Sequence, residues 1–210
     1  MPRSNFVQRF VASLATTAAA VVVAVSLVLF VGPVRDWFFN ANLIPVRLPA
    51  DVTASDITTM AWLARPGDVV VESNIHYWQW VGLSKLTTGS TWVHTSLVDE
   101  RRQLLTVDNS VVDVPLSIFL KWESTRLALV RPPYAGPGAV RRAIGYARSK
   151  LGTPYDPSFH DPSGSCTGLV ATALAAGGIS VPKTTVFGHD IYAAASFFAI
   201  PGARVLWATR

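Results

Sequence analysis

Cys166 is the only cysteine in this chain of 210 residues, and it stands where a nucleophilic thiol could be activated. It follows a turn-rich loop, residues 151–165, and precedes an apolar run with helical spacing that ends at a Gly-Gly pair. Ser163 and Ser165 are suitable N-caps, so we expect Cys166 in the first turn of a helix. Free N–H groups and the helix dipole favour a thiolate there. A small buried residue near a helix start is the alternative interpretation.

A thiol nucleophile needs a base, and His94 is the best placed of the four histidines. It lies in a predicted strand, residues 93–99, and residues 103–109 form the next predicted strand. If the three residues between these strands close a hairpin, counting back sets His94 directly opposite Asp108. Directly opposed residues have Cβ atoms ~5 Å apart, so Asp108 could accept the ring N–H of His94. A histidine and an aspartate on a solvent-facing hairpin surface are the alternative interpretation.

The other histidines are weaker candidates for the base. His160 lies in the loop before Cys166 and is either a local base or a solvated loop residue. His189 begins a predicted helix and fits a capping group, while His76 precedes an apolar stretch that is a short helix or a lid. His160 and its neighbour Asp161 are too sparse a set to predict a metal site.

Residues 45–210 are long enough for one compact domain, and the order of their elements predicts an α+β fold with a mainly antiparallel sheet. Besides the helix that starts at Cys166, the expected helices are residues 55–63, 139–151 and 190–198. The expected strands are residues 69–71, 93–99, 103–109, 126–131 and 203–208.

An uncharged stretch of 25 residues, residues 10–34, follows Arg3 and Arg9. A helix of that length spans a hydrocarbon core of about 30 Å. A cleaved signal peptide is the alternative, but the apolar run continues past the small alanines where cleavage would fall. Residues 1–44 are therefore predicted to form a cytoplasmic tip, a transmembrane signal anchor and a connector. The charges before the span keep the N-terminus in the cytoplasm and place residues 45–210 outside.

Charge and cysteine content exclude two further classes. The formal net charge is +5, and no basic cluster exceeds the pairs Arg101-Arg102 and Arg141-Arg142. Such a mild charge argues against a nucleic-acid partner. A single cysteine excludes an internal disulfide.

Four segments together resemble the NlpC/P60 superfamily of papain-like cysteine hydrolases. The nucleophile segment of that superfamily resembles Ser165-Cys166-Thr-Gly168, and its second segment resembles Pro66-Gly67-Asp68 and His94-Thr-Ser-Leu. Here the second segment comes first along the chain. This is the order of the circularly permuted branch, the YiiX-like and lecithin retinol acyltransferase-like proteins. The stretch Gly152-Thr-Pro-Tyr155-Asp-Pro-Ser-Phe159 is most similar to the YiiX-like group.

The resemblance implies a papain-like, circularly permuted α+β fold with three catalytic residues. Cys166 would be the nucleophile, His94 the general base and then acid, and Asp108 the group that orients His94. Asp108 departs from the YiiX-like pattern, which usually has Glu after the histidine strand. Tyr155 matches a tyrosine near the nucleophile, where it either helps to bind the oxyanion or packs in the core. Neither a metal nor a cofactor is implied.

These expectations combine into a membrane-anchored, extracytoplasmic cysteine hydrolase that cleaves an amide or ester bond. Its partners would be the membrane and a cell-envelope peptide or lipid-derived acyl substrate, in the periplasm or at the cell surface. One alternative is a lipid amidase or acyltransferase of the lecithin retinol acyltransferase-like type. The other is a non-catalytic binding module, which the joint presence of Cys166, His94 and Asp108 argues against.

We predict that the protein remains in membranes after a high-salt wash, because residues 10–34 are long and apolar enough to anchor it. N-terminal sequencing checks this prediction, since a washed-off protein that starts near residue 33 to 40 would mean cleavage. A membrane-impermeant thiol reagent should label Cys166 in intact cells or spheroplasts. Labelling that requires lysis would contradict the proposed orientation.

Overall fold

The computed structural model describes residues 19–23, 52–74, 78–122, 124–156, 162–186 and 188–209. The chain divides into two units, Met1–Ile44 and Pro45–Arg210. Of the predicted membrane span, only residues 19–23 are described, as helix, and the rest lies outside the described residues. None of the helices in the described ranges is both long enough and apolar enough to cross a bilayer.

An antiparallel sheet of six strands forms the centre of the second unit. The strands in chain order are β1 (Val69–Ser73), β2 (His94–Val98), β3 (Gln103–Val107), β4 (Val111–Pro115), β5 (Arg126–Arg131), β6 (Thr184–Val186), β7 (His189–Ile191) and β8 (Arg204–Ala208). β6 and β7 form a separate hairpin, and the other six pair in the order β4-β3-β2-β1-β5-β8. β1 is therefore central and is buried along its whole length, as a Val-rich run predicts.

Helices cover both faces of this sheet. The α-helices are α1 (Ala54–Leu63), α2 (Trp78–Thr88), α3 (Ile118–Lys121), α4 (Pro137–Ser149) and α5 (Cys166–Ala176), and 3₁₀ turns occupy Pro162–Gly164 and Ala194–Ala199. Val69 and Val71 of β1 pack with apolar residues of α4 and α5 in one core cluster. Val70, which alternates with them, packs with α1 in a second cluster. This mixed architecture confirms the α+β prediction.

The Pro-Gly-Asp turn fixes the start of β1. Gly67 has a φ of +89°, and a Cβ at that position would come 2.8 Å from the Tyr134 ring. The carboxylate of Asp68 is buried, and it accepts hydrogen bonds from Nε of Arg131 at 2.8 Å and from Nη2 of the same side chain at 2.7 Å. It also accepts one from the backbone N–H of Arg65 at 2.8 Å. The turn therefore has a structural role at the start of β1, the end of that strand that is farther from His94.

Two predicted elements end or form differently from the expectation. Residues 190–198 do not form a helix: their first part joins β7, where Thr185 Oγ1 donates to Asp190 Oδ1 at 2.7 Å, and a 3₁₀ turn follows. The predicted strand over residues 103–109 ends at Val107. Chain reversal into β4 ends it, because the backbone N–H of Asp108 donates to the carbonyl oxygen of Ser110 at 3.0 Å.

Candidate active site

Cys166 begins α5, as the sequence predicts. Ser165 precedes it in an extended conformation, and its Oγ accepts a hydrogen bond from the backbone N–H of Gly168 at 3.2 Å. This is an N-cap, which ends the loop and lets the helix start at Cys166. Leu169 and Val170 are buried in the core cluster between α5 and the sheet. The apolar face of α5 therefore holds its first turn, with the half-buried thiol, against the sheet.

The thiol lies against the backbone on both sides of His94. Its Sγ donates weakly to the carbonyl oxygen of Val93, at a distance of 3.9 Å. On the other side, Thr95 Oγ1 donates to the carbonyl oxygen of Cys166 at 3.1 Å, and the backbone N–H of Thr95 donates to the sulfur. The structure therefore places the Cys166 thiol against the backbone of the strand that carries His94, the residue that the sequence predicts as its base.

A local opening between two strands makes room for the thiol. β2 and β3 pair through Leu97 with Leu105 and through Val98 with Leu104. Nearer the start of β2, the carbonyl oxygen of Thr95 accepts its hydrogen bond from a side chain instead, since Thr106 Oγ1 donates to it at 3.2 Å. The Thr95 N–H then points to the sulfur rather than into a ladder. The first turn of α5 thus completes the hydrogen bonding of a strand end.

Thr106 orients the His94 ring. Nε2 of His94 lies 2.7 Å from Thr106 Oγ1. Because the hydroxyl proton of Thr106 is already donated to Thr95, its oxygen accepts from Nε2–H, which leaves Nδ1 as the acceptor in the neutral ring. The Trp122 ring packs nearly perpendicular to the imidazole, with a centroid distance of 5.6 Å and an interplanar angle of 82°. A neutral ring with an unprotonated Nδ1 is the state that a general base requires.

Asp108 is not brought into contact with His94. The pairs Leu97–Leu105 and Val98–Leu104 are in the predicted register, which counts back to His94 opposite position 108. However, the strand has ended by that point, and Asp108 is exposed in the turn toward β4. Thr106, two residues earlier on the same face of β3, takes the place beside the ring. The orienting role of Asp108 stays a prediction.

Burial keeps both central groups uncharged at neutral pH. Burial raises the pKa of the Cys166 thiol to about 11, and the charge of Glu72 acts in the same direction. Together they outweigh the lowering by the backbone N–H groups of Thr95 and Thr167. Burial also lowers the pKa of His94 to about 4. The N–H groups act in the direction that the sequence predicts, but the resting site holds a thiol and a neutral imidazole. A thiolate at Cys166 therefore requires a group that accepts the thiol proton.

One ionisable residue of the site was missed by the sequence analysis. Glu72 lies at the end of β1, directly opposite His94 in the ladder, and is only 2% exposed. Its Oε1 accepts hydrogen bonds from Ser124 Oγ at 2.5 Å and from Asn74 Nδ2 at 3.5 Å. Burial raises the pKa of Glu72 to about 7, against the lowering by these two donors. The sequence does contain a sign of this residue, because Glu72 directly follows the Val run of a strand that is predicted to be buried.

The remaining predicted residues lie around or away from this site. Tyr155 packs, half-buried, against the core cluster that also contacts Cys166, and its backbone N–H donates to the carbonyl oxygen of Asn109 at 3.0 Å. Its role toward an oxyanion stays a prediction. His189 is exposed on β7. The residues His76, His160 and Asp161 lie outside the described residues.

We expect Thr106→Val to slow the alkylation of Cys166 by iodoacetamide roughly fivefold, because a hydrogen bond of this kind contributes about 1 kcal/mol. Thr106→Ser keeps the hydroxyl and is the matched control, with a rate close to that of the wild type. Mass spectrometry of the alkylated protein at pH 7 gives the rates. Equal rates for the Val variant and the wild type, both folded, would mean that Thr106 does not orient His94.

Comparison with known proteins supports the fold. No protein-family model and no curated protein matches the sequence. The structure is similar to the crystal structure of the metalloprotein YiiX from Escherichia coli O157:H7, with a TM-score of 0.58 and 16% sequence identity over 70% of this chain and 98% of that chain. Within the described ranges here, no group of three or more His, Cys, Asp or Glu side chains could hold a metal ion. The comparison confirms, for the fold, the YiiX-like resemblance that the sequence indicated.

Proposed function

We propose that this chain is a cysteine hydrolase in which Cys166 is the nucleophile and His94 is the general base. The observation that carries the proposal is the contact of the Cys166 thiol with the backbone that brackets His94. Since Thr106 occupies Nε2 of the ring, Nδ1 is available for the thiol proton. The position of the lone thiol against the strand of an oriented imidazole also argues against a module that only binds.

The reaction would cleave an amide or ester bond in two steps. First, Nδ1 of His94 takes the thiol proton while the sulfur of Cys166 attacks the carbonyl carbon, and the free N–H groups in the first turn of α5 stabilise the oxyanion. The imidazolium then protonates the leaving amine or alcohol, which leaves an acyl group on the sulfur. In the second step His94 deprotonates water, which attacks the acyl group and releases the acid. The thiol is thereby regenerated.

The proposed substrates are amide bonds in cell-envelope peptides. Two sequence features support this choice: the uncharged run over residues 10–34, which would anchor the protein at the membrane, and a nucleophile segment that resembles the peptidase branch. The catalytic unit would then face the periplasm or the cell surface. Asp108 remains a candidate for the third position of a Cys-His-Asp triad, although the geometry supports Thr106 there.

A lipid amidase or acyltransferase is the second candidate, and one contact favours it. Ser84 on α2 donates through Oγ to the carbonyl oxygen of Trp92 at 3.1 Å. Since Trp92 is two residues before His94 in the chain, this bond holds α2 close to the start of β2. The same helix carries Leu86, whose side chain is 87% exposed. An apolar side chain on a helix beside the site offers a surface for an acyl chain.

We predict that His94→Ala abolishes hydrolysis as fully as Cys166→Ala does. It should also abolish labelling of the thiol, because the thiol depends on His94 to lose its proton. The double variant should be no worse than either single variant, since the two residues act as a unit. Asp108→Asn should lie between the wild type and His94→Ala if Asp108 orients the base. Iodoacetamide labelling at pH 7 and hydrolysis of a peptide substrate measure both effects.

The exposed His189 provides the matched control for that comparison. His189→Ala, His76→Ala and His160→Ala should retain most of the reactivity. An inactive but folded His189→Ala or His160→Ala variant, together with an active His94→Ala variant, would overturn the assignment of the base.

Labelling with carbonyl electrophiles distinguishes the two candidate substrates. The full-length protein in detergent should react faster at Cys166 with probes that carry a peptide than with probes that carry a long acyl group. Cys166→Ala is the control for labelling at other positions. Faster reaction with the acyl probe, or acyl exchange without peptide cleavage, would reverse the ranking.

A further inference from the structure

The proposed mechanism leaves one buried ionisable side chain without a role, Glu72. It pairs with His94 across β1 and β2, on the same face of the sheet. Directly opposed residues of an antiparallel pair have Cβ atoms about 5 Å apart. On its other side, Glu72 pairs with the apolar Leu127 of β5. The base is therefore the polar neighbour that the sheet itself sets beside the carboxyl group.

Hydrogen bonds hold the Glu72 carboxyl group in this position. Ser124 Oγ and Asn74 Nδ2 both donate to Oε1, at 2.5 and 3.5 Å, and neither of these bonds uses Oε2. Asn74 Nδ2 also donates to the carbonyl oxygen of Trp122 at 2.6 Å. Since the Trp122 ring packs against His94, the same residues surround both the carboxyl group and the imidazole. Glu72 and His94 thus share one enclosed environment.

When His94 acts as a base, the site described so far has no negative charge beside the imidazolium that forms. The ring becomes a cation in surroundings whose burial lowers the pKa of His94 to about 4. Thr106 contributes a hydroxyl group and Trp122 an uncharged ring, so neither neighbour supplies a negative charge. A buried cation without a partner is costly, so a carboxylate beside it would lower the barrier to proton transfer.

The neighbours of Glu72 in the sheet do not supply a permanent charge. His94 of β2 lies opposite it on one side and the apolar Leu127 of β5 on the other. The charge of Glu72 also raises the pKa of the Cys166 thiol, so the carboxylate favours proton transfer only through the imidazolium of His94. Arg126, the next residue on β5, places its guanidinium 4.8 Å above the Trp92 ring centroid. The carboxyl group of Glu72 is therefore the charge available to the base.

We propose that Glu72 is a positioning residue for His94, whose carboxylate stabilises the imidazolium that forms when Cys166 attacks. The inference rests on the proposed function and adds a residue to it. The thiol proton moves to Nδ1 of His94, and Glu72 takes no proton and touches no substrate. In this arrangement Thr106 orients the ring and Glu72 supplies the negative charge. A single acidic residue would otherwise combine these two roles.

The pH dependence follows from the state of Glu72. Because burial raises the pKa of Glu72 to about 7, the carboxylate is lost as the pH falls through that value. The thiol, with a pKa of about 11, gives a steady rise of the alkylation rate across the whole pH range. The carboxylate of Glu72 should add a further step in the reactivity of Cys166 near pH 7. If protonation of His94 alone set the acid limb, the rise would lie near the lowered pKa of the ring, about 4.

The test is the rate of alkylation of Cys166 by iodoacetamide between pH 5 and 9, in the full-length protein in detergent. Glu72→Gln keeps the size of the side chain and removes its charge. We expect this variant to lose the rise near pH 7 and to react roughly tenfold more slowly than the wild type at pH 8. Asp113→Asn, which removes an exposed carboxylate of β4, is the control and should keep the wild-type profile.

A second variant decides the question if Glu72→Gln does not fold. Ser124→Ala removes a donor that lowers the pKa of Glu72, so the acid limb should move to higher pH. An unchanged limb in Ser124→Ala, or a wild-type profile in folded Glu72→Gln, would overturn the role of Glu72. His94→Ala separates this failure from the larger one: if it also leaves Cys166 fully reactive, the proposed function itself is wrong.

Discussion

The candidate site depends on the packing of the first turn of α5 against the start of β2. Thr95 makes it possible, because its N–H, its carbonyl oxygen and its hydroxyl group all bond to partners outside a regular ladder. A β-strand end that is released from its neighbour needs such partners, and Cys166 and Thr106 supply them. The same contacts that satisfy the backbone therefore place the thiol against the strand that carries His94. The proposed nucleophile and base are thus connected through the end of a strand and not through a loop.

Burial then decides the electrostatics of this arrangement. The N-terminal end of α5 would by itself favour a thiolate, but the enclosed position raises the pKa of Cys166 and lowers that of His94. Each group is thus held in its neutral form at neutral pH. Glu72 shows the same rule for an acid, since its pKa is raised by burial although two donors bond to it. The site combines three groups, and burial disfavours the charged form of each of them.

Sequence patterns predicted most of the fold because its core follows simple periodicities. The Val run of β1, the hairpin of β2 and β3 and the apolar face of α5 were all read from spacing, and the register of the hairpin was correct. The membrane span falls outside the described residues except for residues 19–23. The short elements after Val107 were missed or misplaced, since β4 and β7 form through pairing with neighbours that local propensity does not specify.

The candidate site was predictable where it depends on local pattern and not where it depends on pairing between distant segments. Cys166 and His94 are marked by a helix start and a strand start, both visible in sequence. Asp108 was selected by counting along the register of β2 and β3, and that register is correct. The count ran past Val107, where β3 ends, and the Asp108 side chain is exposed in the turn that follows. Glu72 could not be selected in this way, because its place opposite His94 depends on the pairing of β1 with β2 across a long connection. A register is therefore reliable for placing catalytic side chains only as far as both strands continue.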